Sequence, residues 1–344
     1  MHRTAHLISY CRLIHDLARQ LADKGEKMYY RTVNQTSNDH EKQDTVEATD
    51  VVLLFSCSFG IGCYLNWKEW QEDGLPDHDF DLIFYDNGKA GLENEYYDDY
   101  SVSKLREKYP NAKILGWIKE VNVRNEIRSQ NRVKFLNECD AIVTSGISEQ
   151  FKNIDMFKYL RTVVDKKWYF LSQPVNINYL FDNFYSQEKE SVIWSYLPNP
   201  MYRRGRTYEF TDYLGKKYDV EVRKKPLQPG QDFAHLSQWD FIDMWSKCAY
   251  HFNMDPSDIH PGNQVMQTAA VGCINFGGLN ESHTIMYPET ATCDEKILEE
   301  VFVEHLKDEM KRFKTIEYAW EKLNEIYSFK SVTDQIDTLY EELK

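Results

Sequence analysis

Residues 255–278 read DPSDIHPGNQVMQTAAVGCINFGG, a polar loop followed by a helix of small residues and a short apolar strand that ends in Gly-Gly. Pro261 and Gly262 stand near the predicted helix start, where unpaired backbone N–H groups and the helix dipole favour a negative or hydroxyl-rich ligand. The polar side chains able to bracket such a ligand are Asp258, His260, Asn263 and Gln267. The segment predicts a ligand-binding loop of an α/β domain; a plain helix cap at Ser257 or Asp258 is the alternative.

Short apolar runs like the one at the end of this segment recur through the first 170 residues. They suit strands buried on both faces of a parallel sheet, and the amphipathic segments between them suit crossover helices. The predicted strands are 28–33, 50–56, 81–87, 112–118, 141–146 and 167–173. Apolar residues at helical spacing before Gly25 predict an opening helix over about 5–24 with no strand before it. The first part of the chain is therefore predicted to be a doubly wound α/β domain.

A second α/β series follows a segment rich in amides and charges at 174–191, where we place the domain boundary. Its predicted strands are 191–197, 217–223, 248–254, 272–278 and 283–288, and from Asp294 the pattern is helical to the end. We assign residues 1–180 to a first Rossmann-like domain, 181–325 to a second, and 326–344 to a C-terminal helix that packs back on the first. Because ligands bind at the carboxyl ends of strands in open sheets, two such domains imply a cleft between them.

Composition excludes several classes of protein. The 344 residues carry 42% hydrophobic residues, enough for two cores, and no apolar run is long enough to predict a membrane span. Seven scattered cysteines indicate neither a disulfide framework nor a zinc site. The start lacks the apolar core of a secretion signal, so we expect a soluble cytoplasmic protein. A net charge of −14 leaves nucleic-acid contact only to a local patch.

The sequence carries no intact nucleotide-binding signature, but it does carry a basic loop. SFGIGCYL at 58–65 offers two glycines of the dinucleotide fingerprint and not the third, so we interpret them as a tight turn. Between Pro200 and Pro226, eight Lys or Arg stand against four Asp or Glu. Asn199, Arg203, Arg204 and Arg206 lie at a predicted strand-to-helix junction, which predicts a diphosphate site. An exposed basic loop that balances acidic neighbours is the alternative.

The run MQTAAVGCINFGG resembles the donor-site helix and following strand of GT-B-fold glycosyltransferases, in particular family-4-like enzymes. In that register Gln267 stands where the family has a Glu that holds the nucleotide ribose, and Gly272 matches the family glycine. The family's other Glu would fall near Ile259, so Asp258 or His260 would replace it. The C-terminal helical segment also resembles the closing helices of these enzymes, and the resemblance covers about residues 190–344.

The resemblance implies two Rossmann-like domains that face a cleft, an acceptor side in the first and a donor site in the second. It implies transfer of a sugar from a UDP- or GDP-linked donor to an acceptor hydroxyl, with no cofactor and no metal required. If the sugar is inverted, a base must deprotonate the acceptor. Asp86 is our first choice and Glu120 the second, since each follows a predicted strand.

The acceptor is left open by the sequence. A glycan is the default, and a hydroxymethylated base of phage DNA is the alternative, in which case the protein would work in the host cytoplasm. A non-catalytic adaptor that binds a nucleotide or glycan, and a sugar-nucleotide epimerase, remain two further alternatives.

Overall fold

The computed structural model describes residues 4–8, 28–30, 62–66, 80–86, 101–118, 126–145, 155–172, 175, 177–195, 206–224, 238–254 and 263–344. The chain divides into two compact units. Met1–Pro174 together with Phe329–Lys344 form unit 1, and Val175–Ser328 form unit 2. None of the helices within these described ranges is long and apolar enough to cross a membrane.

Unit 1 contains a sheet of parallel strands. The strands are β1 Thr4–Ile8, β2 Met28–Tyr30, β3 Gly62–Asn66, β4 Leu82–Asp86, β5 Lys113–Ile118, β6 Ala141–Ser145 and β7 Trp168–Leu171. Their order is β2-β3-β1-β4-β5-β6-β7, so β1 lies between β3 and β4 and the chain crosses to the other side of β1 after β3. Strands β4 to β7 match the predicted apolar runs, and β5 is buried from Ile114 to Ile118. The doubly wound prediction for this unit is confirmed.

The prediction of a helix over 5–24 is wrong at its beginning. Thr4–Ile8 is β1, and it pairs in parallel with β3 and with β4. The spacing was misleading because Leu7 and Ile8, which belong to the strand, fit the same helical period as the apolar residues after them in the sequence. Residues 9–27 and the predicted strand at 50–56 lie outside the described residues. Gly62, expected in a turn, is the first residue of β3.

The described helices of unit 1 are α1 Val102–Lys108, α2 Glu126–Glu138, α3 Asp155–Val163 and α11 Phe329–Leu343. The last of these is the C-terminal helix, and its return to the first domain is confirmed. Val332, Ile336 and Leu339 are buried on it. At β7, the Ser172 backbone N–H donates to Gln335 Oε1 at 2.9 Å, which ties the helix to the sheet.

Unit 2 contains a second parallel sheet, with strands β8 Glu190–Ser195, β9 Glu221–Lys224, β10 Cys248–Phe252 and β11 Ile274–Phe276 in the order β11-β10-β8-β9. Its helices are α4 Ile177–Phe184, α5 Thr207–Tyr218, α6 Gln238–Lys247, α7 Asn263–Ala270, α8 Glu281–Met286, α9 Glu295–Lys307 and α10 Glu309–Tyr327. Aromatic rings fill the space between the sheet and α9, where Phe252 and Phe276 stack at 4.7 Å and both contact Phe302.

Two predictions need correction in unit 2. HTIMYP at 283–288 is not a strand: its first residues lie in α8, which begins where Asn280 accepts a hydrogen bond from His283 N at 2.9 Å. The predicted boundary at 180/181 falls inside α4, whereas the structure divides the chain after Pro174. Leu180 on that helix packs into the core of unit 2, which explains the earlier division. The second division follows Ser328 rather than residue 325, because Tyr327 is buried in the same core.

Candidate functional site

The carboxyl ends of β8, β10 and β11 form the candidate site in unit 2. Strand β8 lies between β9 and β10, so the strands that follow β8 are added first on one side of it, as β9, and then on the other, as β10. Ligands of open parallel sheets bind at such a switch point, outside the carboxyl ends of the strands. The ends of β10 and β11 are linked, since Asn253 N donates to Phe276 O at 2.9 Å. Met254 N donates to Thr207 Oγ1 at 3.0 Å, which links the end of β10 to the start of α5.

The Gly-Gly pair after β11 brings that strand end against β10. Gly277 has φ +83° and Gly278 has φ +87°, a left-handed conformation that favours glycine. A Cβ added at Gly277 would lie 2.8 Å from Met254 Cγ and 3.0 Å from Asn253 O. Any larger residue would therefore push the ends of β10 and β11 apart.

Asn253 presents a free acceptor at this edge. Its Nδ2 donates to Gln264 Oε1 on the first turn of α7 at 3.3 Å. Its Oδ1 is buried and has no hydrogen-bond partner within the described ranges. Buried acceptors are rarely left without a partner, so this atom indicates a place where a ligand hydroxyl or N–H would bind. Asn253 was not among the predicted site residues, because it lies at the end of a predicted strand and not in the polar loop that follows residue 254.

The predicted donor residues of the opening segment are only partly described. Asn263 is the first residue of α7, and Asp258, His260 and Gly262 lie outside the described residues. Gln267 is on α7 and is only 4% exposed. Its side chain makes no hydrogen bond to a described residue, so its amide is available to a partner that approaches from the loop. Its role as a ribose ligand stays a prediction.

The start of α5 forms the other side of the edge. Arg206 occupies the N-cap position without a side-chain cap, and Thr207 behind it is fully buried. Arg206 is 71% exposed and lies 3.4 Å from Glu295 at the start of α9. Its guanidinium therefore stands beside a helix N-terminus, the arrangement expected for an anion site. Asn199, Arg203 and Arg204 lie in 196–205, outside the described residues.

A chain of buried polar groups runs directly beneath these strand ends. Asn275 on β11 donates through Nδ2 to Thr268 Oγ1 at 2.6 Å, and its Oδ1 lies 2.8 Å from His251 Nδ1 on β10. Thr290 donates to Asn275 O at 2.5 Å, and His283 Nε2 lies 3.1 Å from the same hydroxyl. We name Thr268, Asn275, Thr290, His251 and His283 the polar core.

Both histidines of the polar core are neutral. Burial lowers the pKa of His251 to about 4 and that of His283 to about 3. Because Asn275 Oδ1 can only accept, His251 carries its proton on Nδ1. Because the Thr290 hydroxyl donates to Asn275 O, His283 donates to Thr290 through Nε2. The signal available in the sequence was a polar residue inside each of the apolar strands CAYHF and INF.

Four of the five described basic residues between 206 and 224 form ion pairs. Lys217 pairs with Glu299 at 2.6 Å, and Arg223 pairs with Glu190 at 2.6 Å. Lys224 pairs with Asp212 at 2.5 Å, and Arg206 pairs with Glu295 at 3.4 Å. Of the basic residues of this segment that the structure describes, only Lys216 is without an ion pair among them. Local basic excess is therefore a weaker indication of an anion site than the strand ends.

The first sheet has the same kind of switch point at β1. Asp86 is the last residue of β4 and is in register with Ile8, the last residue of β1. The structure thus places the first-choice base at the position where open sheets bind ligands. Glu120 lies in 119–125, outside the described residues. Among the described residues, no group of three or more His, Cys, Asp or Glu could hold a metal ion.

Comparison with protein-family models and with curated proteins found no match. Solved structures do resemble the chain. An alpha-glucosyltransferase in complex with UDP-glucose and DNA containing an abasic site is 12% identical, with a TM-score of 0.61 over 99% of each chain. Trehalose-6-phosphate synthase OtsA is 9% identical, with a TM-score of 0.59 over 99% of each chain. Anabaena Alr3699/HepE in complex with UDP is 9% identical, with a TM-score of 0.56 over 99% of this chain and 100% of that one.

Proposed function

We propose that this chain, which has the GT-B fold, is a glycosyltransferase that moves a sugar from a nucleoside-diphosphate sugar to an acceptor hydroxyl. The observation that carries the proposal is the unpaired Asn253 Oδ1 at the switch point of the second sheet, beside the Gly-Gly loop and the first turn of α7. Similar folds bound to UDP, UDP-glucose or both support a uracil nucleotide as the first donor to test.

The donor would lie along the carboxyl edge of the second sheet. The N-terminus of α5 and the exposed Arg206 would stabilise the diphosphate, since both favour negative charge. Asn253 would accept from a ribose hydroxyl or a base N–H, and Gln267 would approach the ribose. Asn199, Arg203, Arg204, Asp258, His260, Gly262 and Asn263 are the predicted residues that would complete the site.

The chemistry needs a proton acceptor on the first unit if the sugar is inverted. The acceptor oxygen would attack the anomeric carbon, its proton would pass to a carboxylate, and the nucleoside diphosphate would leave with the bonding electrons. Asp86, at the end of β4, is the first candidate for that carboxylate, and Glu120 is the second. A retaining transfer would not require this base.

A glycan is the first acceptor to test, and a DNA base is the second. Ion pairs cancel most of the described basic residues between 206 and 224, and the net charge of −14 opposes binding to a polyanion. The resemblance to a glucosyltransferase bound to DNA keeps the second candidate. Binding to hydroxymethylated duplex DNA that weakens steeply with salt would favour DNA over a glycan.

Thermal unfolding with UDP, UDP-glucose, GDP and GDP-mannose tests the donor site. A nucleotide that binds only the folded protein raises Tm, because at a hundredfold excess over Kd it adds about 2.7 kcal/mol to the free energy of unfolding. Asn253→Ala should abolish most of the shift, and Asn324→Ala, an exposed asparagine on α10 that also makes a side-chain hydrogen bond, should not change it.

Two results would contradict the proposal. A Tm unchanged by all four nucleotides would leave a fold without a donor site. A shift that occurs without any glycosidic product from glycan or DNA acceptors would instead indicate the adaptor, and release of free UDP with an isomerised sugar would indicate an epimerase.

A further inference from the structure

Unit 2 contains a cavity that shares Thr290 with the polar core. It has a volume of about 560 Å³, in the range of small-molecule sites, and is bounded by the segment after α8, the end of α9 and the first turns of α10. The lining residues used below are Glu289, His305, Asp308, Lys311, Lys314 and Tyr318. None of the described donor-site candidates, Arg206, Asn253, Gln264 or Gln267, lines it.

His305 is the unusual member of this lining. Its side chain is 1% exposed, and neither ring nitrogen has a hydrogen-bond partner in the part of the chain that the structure describes. Its ring edge packs against Phe276 at 5.8 Å, and its carbonyl accepts from Tyr250 at 3.2 Å. Burial lowers the pKa of His305 to about 4, so the ring is neutral and offers one donor and one acceptor. Such buried groups need an occupant of the cavity to satisfy them.

The charges around the cavity balance. Lys311 lies 3.1 Å from Glu289, and its backbone N–H donates to Asp308 Oδ1 at 3.0 Å. Lys314 is the second cation of the lining, which also has two carboxylates, and Lys311 is further paired with Glu304 outside the lining. A phosphate or carboxylate ligand would gain little here. Tyr318, 40% exposed, adds an aromatic surface at the mouth of the cavity.

We propose that this cavity binds an uncharged carbohydrate, with a hydroxyl group on a ring nitrogen of His305 and a sugar face on Tyr318. A hydroxyl both donates and accepts, so it can bond either nitrogen of a neutral imidazole. The apolar face of a sugar ring suits an exposed tyrosine. The cavity shares no lining residue with the described donor-site candidates, so binding in it can be tested apart from them. It would hold a glycan on unit 2 apart from the reacting centre.

Saturation-transfer NMR on the full chain tests this site, with glucose, galactose, mannose, maltose and lactose as probes and glucose 1-phosphate as the charged comparison. Spectra are recorded with and without excess UDP-glucose, so that binding at the donor site is recognised by its displacement. His305→Phe should weaken the undisplaced binding about threefold to tenfold, because a hydrogen bond is lost. His305→Gln, which keeps a donor and an acceptor, should retain part of it.

Tyr318→Ala has a matched control in Tyr159→Ala, since Tyr159 is similarly exposed, at 46%, on α3 of unit 1. We expect about a threefold to tenfold loss for the first and none for the second. The proposal fails if no neutral sugar binds, if excess UDP-glucose displaces all binding, or if His305→Phe binds as well as the parent. Tighter binding of glucose 1-phosphate, or a crystal soaked with maltose that shows only water beside His305, would also overturn it.

Discussion

The two parallel sheets differ in strand order and in what their central strands bury. In β5 of unit 1, the buried residues run Ile, Leu, Gly, Trp and Ile. In β10 of unit 2, the fully buried strand includes His251, and its neighbour β11 includes Asn275. A polar side chain inside a sheet is costly unless it is fully hydrogen-bonded. The polar core therefore marks the sheet whose strand ends have to be held in one arrangement.

The difference also concerns the loops. The Gly-Gly pair of unit 2 is held from below by the polar core, since Thr290 both accepts from Gly277 N through its carbonyl and donates to Asn275 O through its hydroxyl. Unit 2 thus has a pre-organised edge, which is what tight binding of a small polar ligand requires.

Gly277→Ala should have the largest effect of the substitutions considered. The positive φ and the contacts with the backbone of Asn253 and Met254 together should cost about 3 to 5 kcal/mol of unfolding free energy and most of the nucleotide-dependent Tm shift. Urea unfolding and thermal shift with UDP measure both.

Gly116→Ala is the comparison in unit 1. Gly116 has an ordinary φ, but an added Cβ would lie 2.9 Å from Leu136 Cδ2 in the core. We expect a loss of stability of about 1 to 3 kcal/mol with an unchanged shift on UDP addition. Equal loss of the shift in both variants would show that the Gly-Gly edge has no special part in binding.

Asn275→Ala should cost about 2 to 4 kcal/mol, because it leaves His251 and Thr268 with unmet hydrogen-bonding groups in the core. Thr144→Val on β6 is the matched change in unit 1, where a buried hydroxyl is replaced by a methyl group. It should cost less than about 1.5 kcal/mol. Chemical denaturation of the two variants side by side would refute the contrast if Thr144→Val proved equally costly.

Much of the fold could be predicted from the sequence because buried parallel strands are continuous apolar runs. Strands β4 to β7 followed from those apolar runs, and the C-terminal helices followed from apolar residues at helical spacing. The errors came from segments where pattern and context disagree. Thr4–Ile8 is a strand because two neighbours pair with it, and the helix Glu281–Met286 depends on the Asn280 cap, which apolar content at 285–287 concealed.

The site was harder to predict because its parts are distant in sequence. Asn263 and Gln267 were found from their place at a helix start. No such signal marks Asn253, His283 or Thr290. Each takes part in the site through a hydrogen-bond partner that is near it only in the folded chain. Asp86 was chosen as a residue at a strand end, and its pairing with Ile8 places it at the switch point, while its catalytic role stays a prediction.

Acid should destabilise unit 2 selectively. The folded pKa values of His251 and His283 lie below 6.5, so the unfolded chain binds more protons between about pH 4 and 6.5. The stability these residues confer is complete above pH 6.5 and is lost as pH falls towards 4. Between pH 7 and 5 we expect a loss of about 2 kcal/mol for each.

Strands β5 and β6 of unit 1 contain no histidine, which makes them the comparison for this loss. Hydrogen exchange measured at pH 7 and pH 5, after correction for the intrinsic rate, should show reduced protection in β10 and β11 and much less change in β5 and β6. His251→Phe should lose stability less steeply with acid than the parent. The same pH dependence in both sheets, or in parent and variant, would contradict neutral histidines in the polar core.

Arg206→Ala should have the smallest effect on stability and a specific effect on binding. Arg206 is largely exposed and 3.4 Å from Glu295, so its loss should change unfolding free energy by no more than about 0.5 kcal/mol. Lys217, at the opposite end of the same helix and paired with Glu299, is the matched control. If the N-terminus of α5 receives the diphosphate, Arg206→Ala should weaken UDP binding about threefold to tenfold at low salt and less at high salt, while Lys217→Ala leaves it unchanged. Calorimetric titration of UDP at two salt concentrations measures both variants. Equal affinities of Arg206→Ala and Lys217→Ala would show that the diphosphate does not lie at the N-terminus of α5, and would leave Asn253 and the Gly-Gly loop as the features that distinguish unit 2.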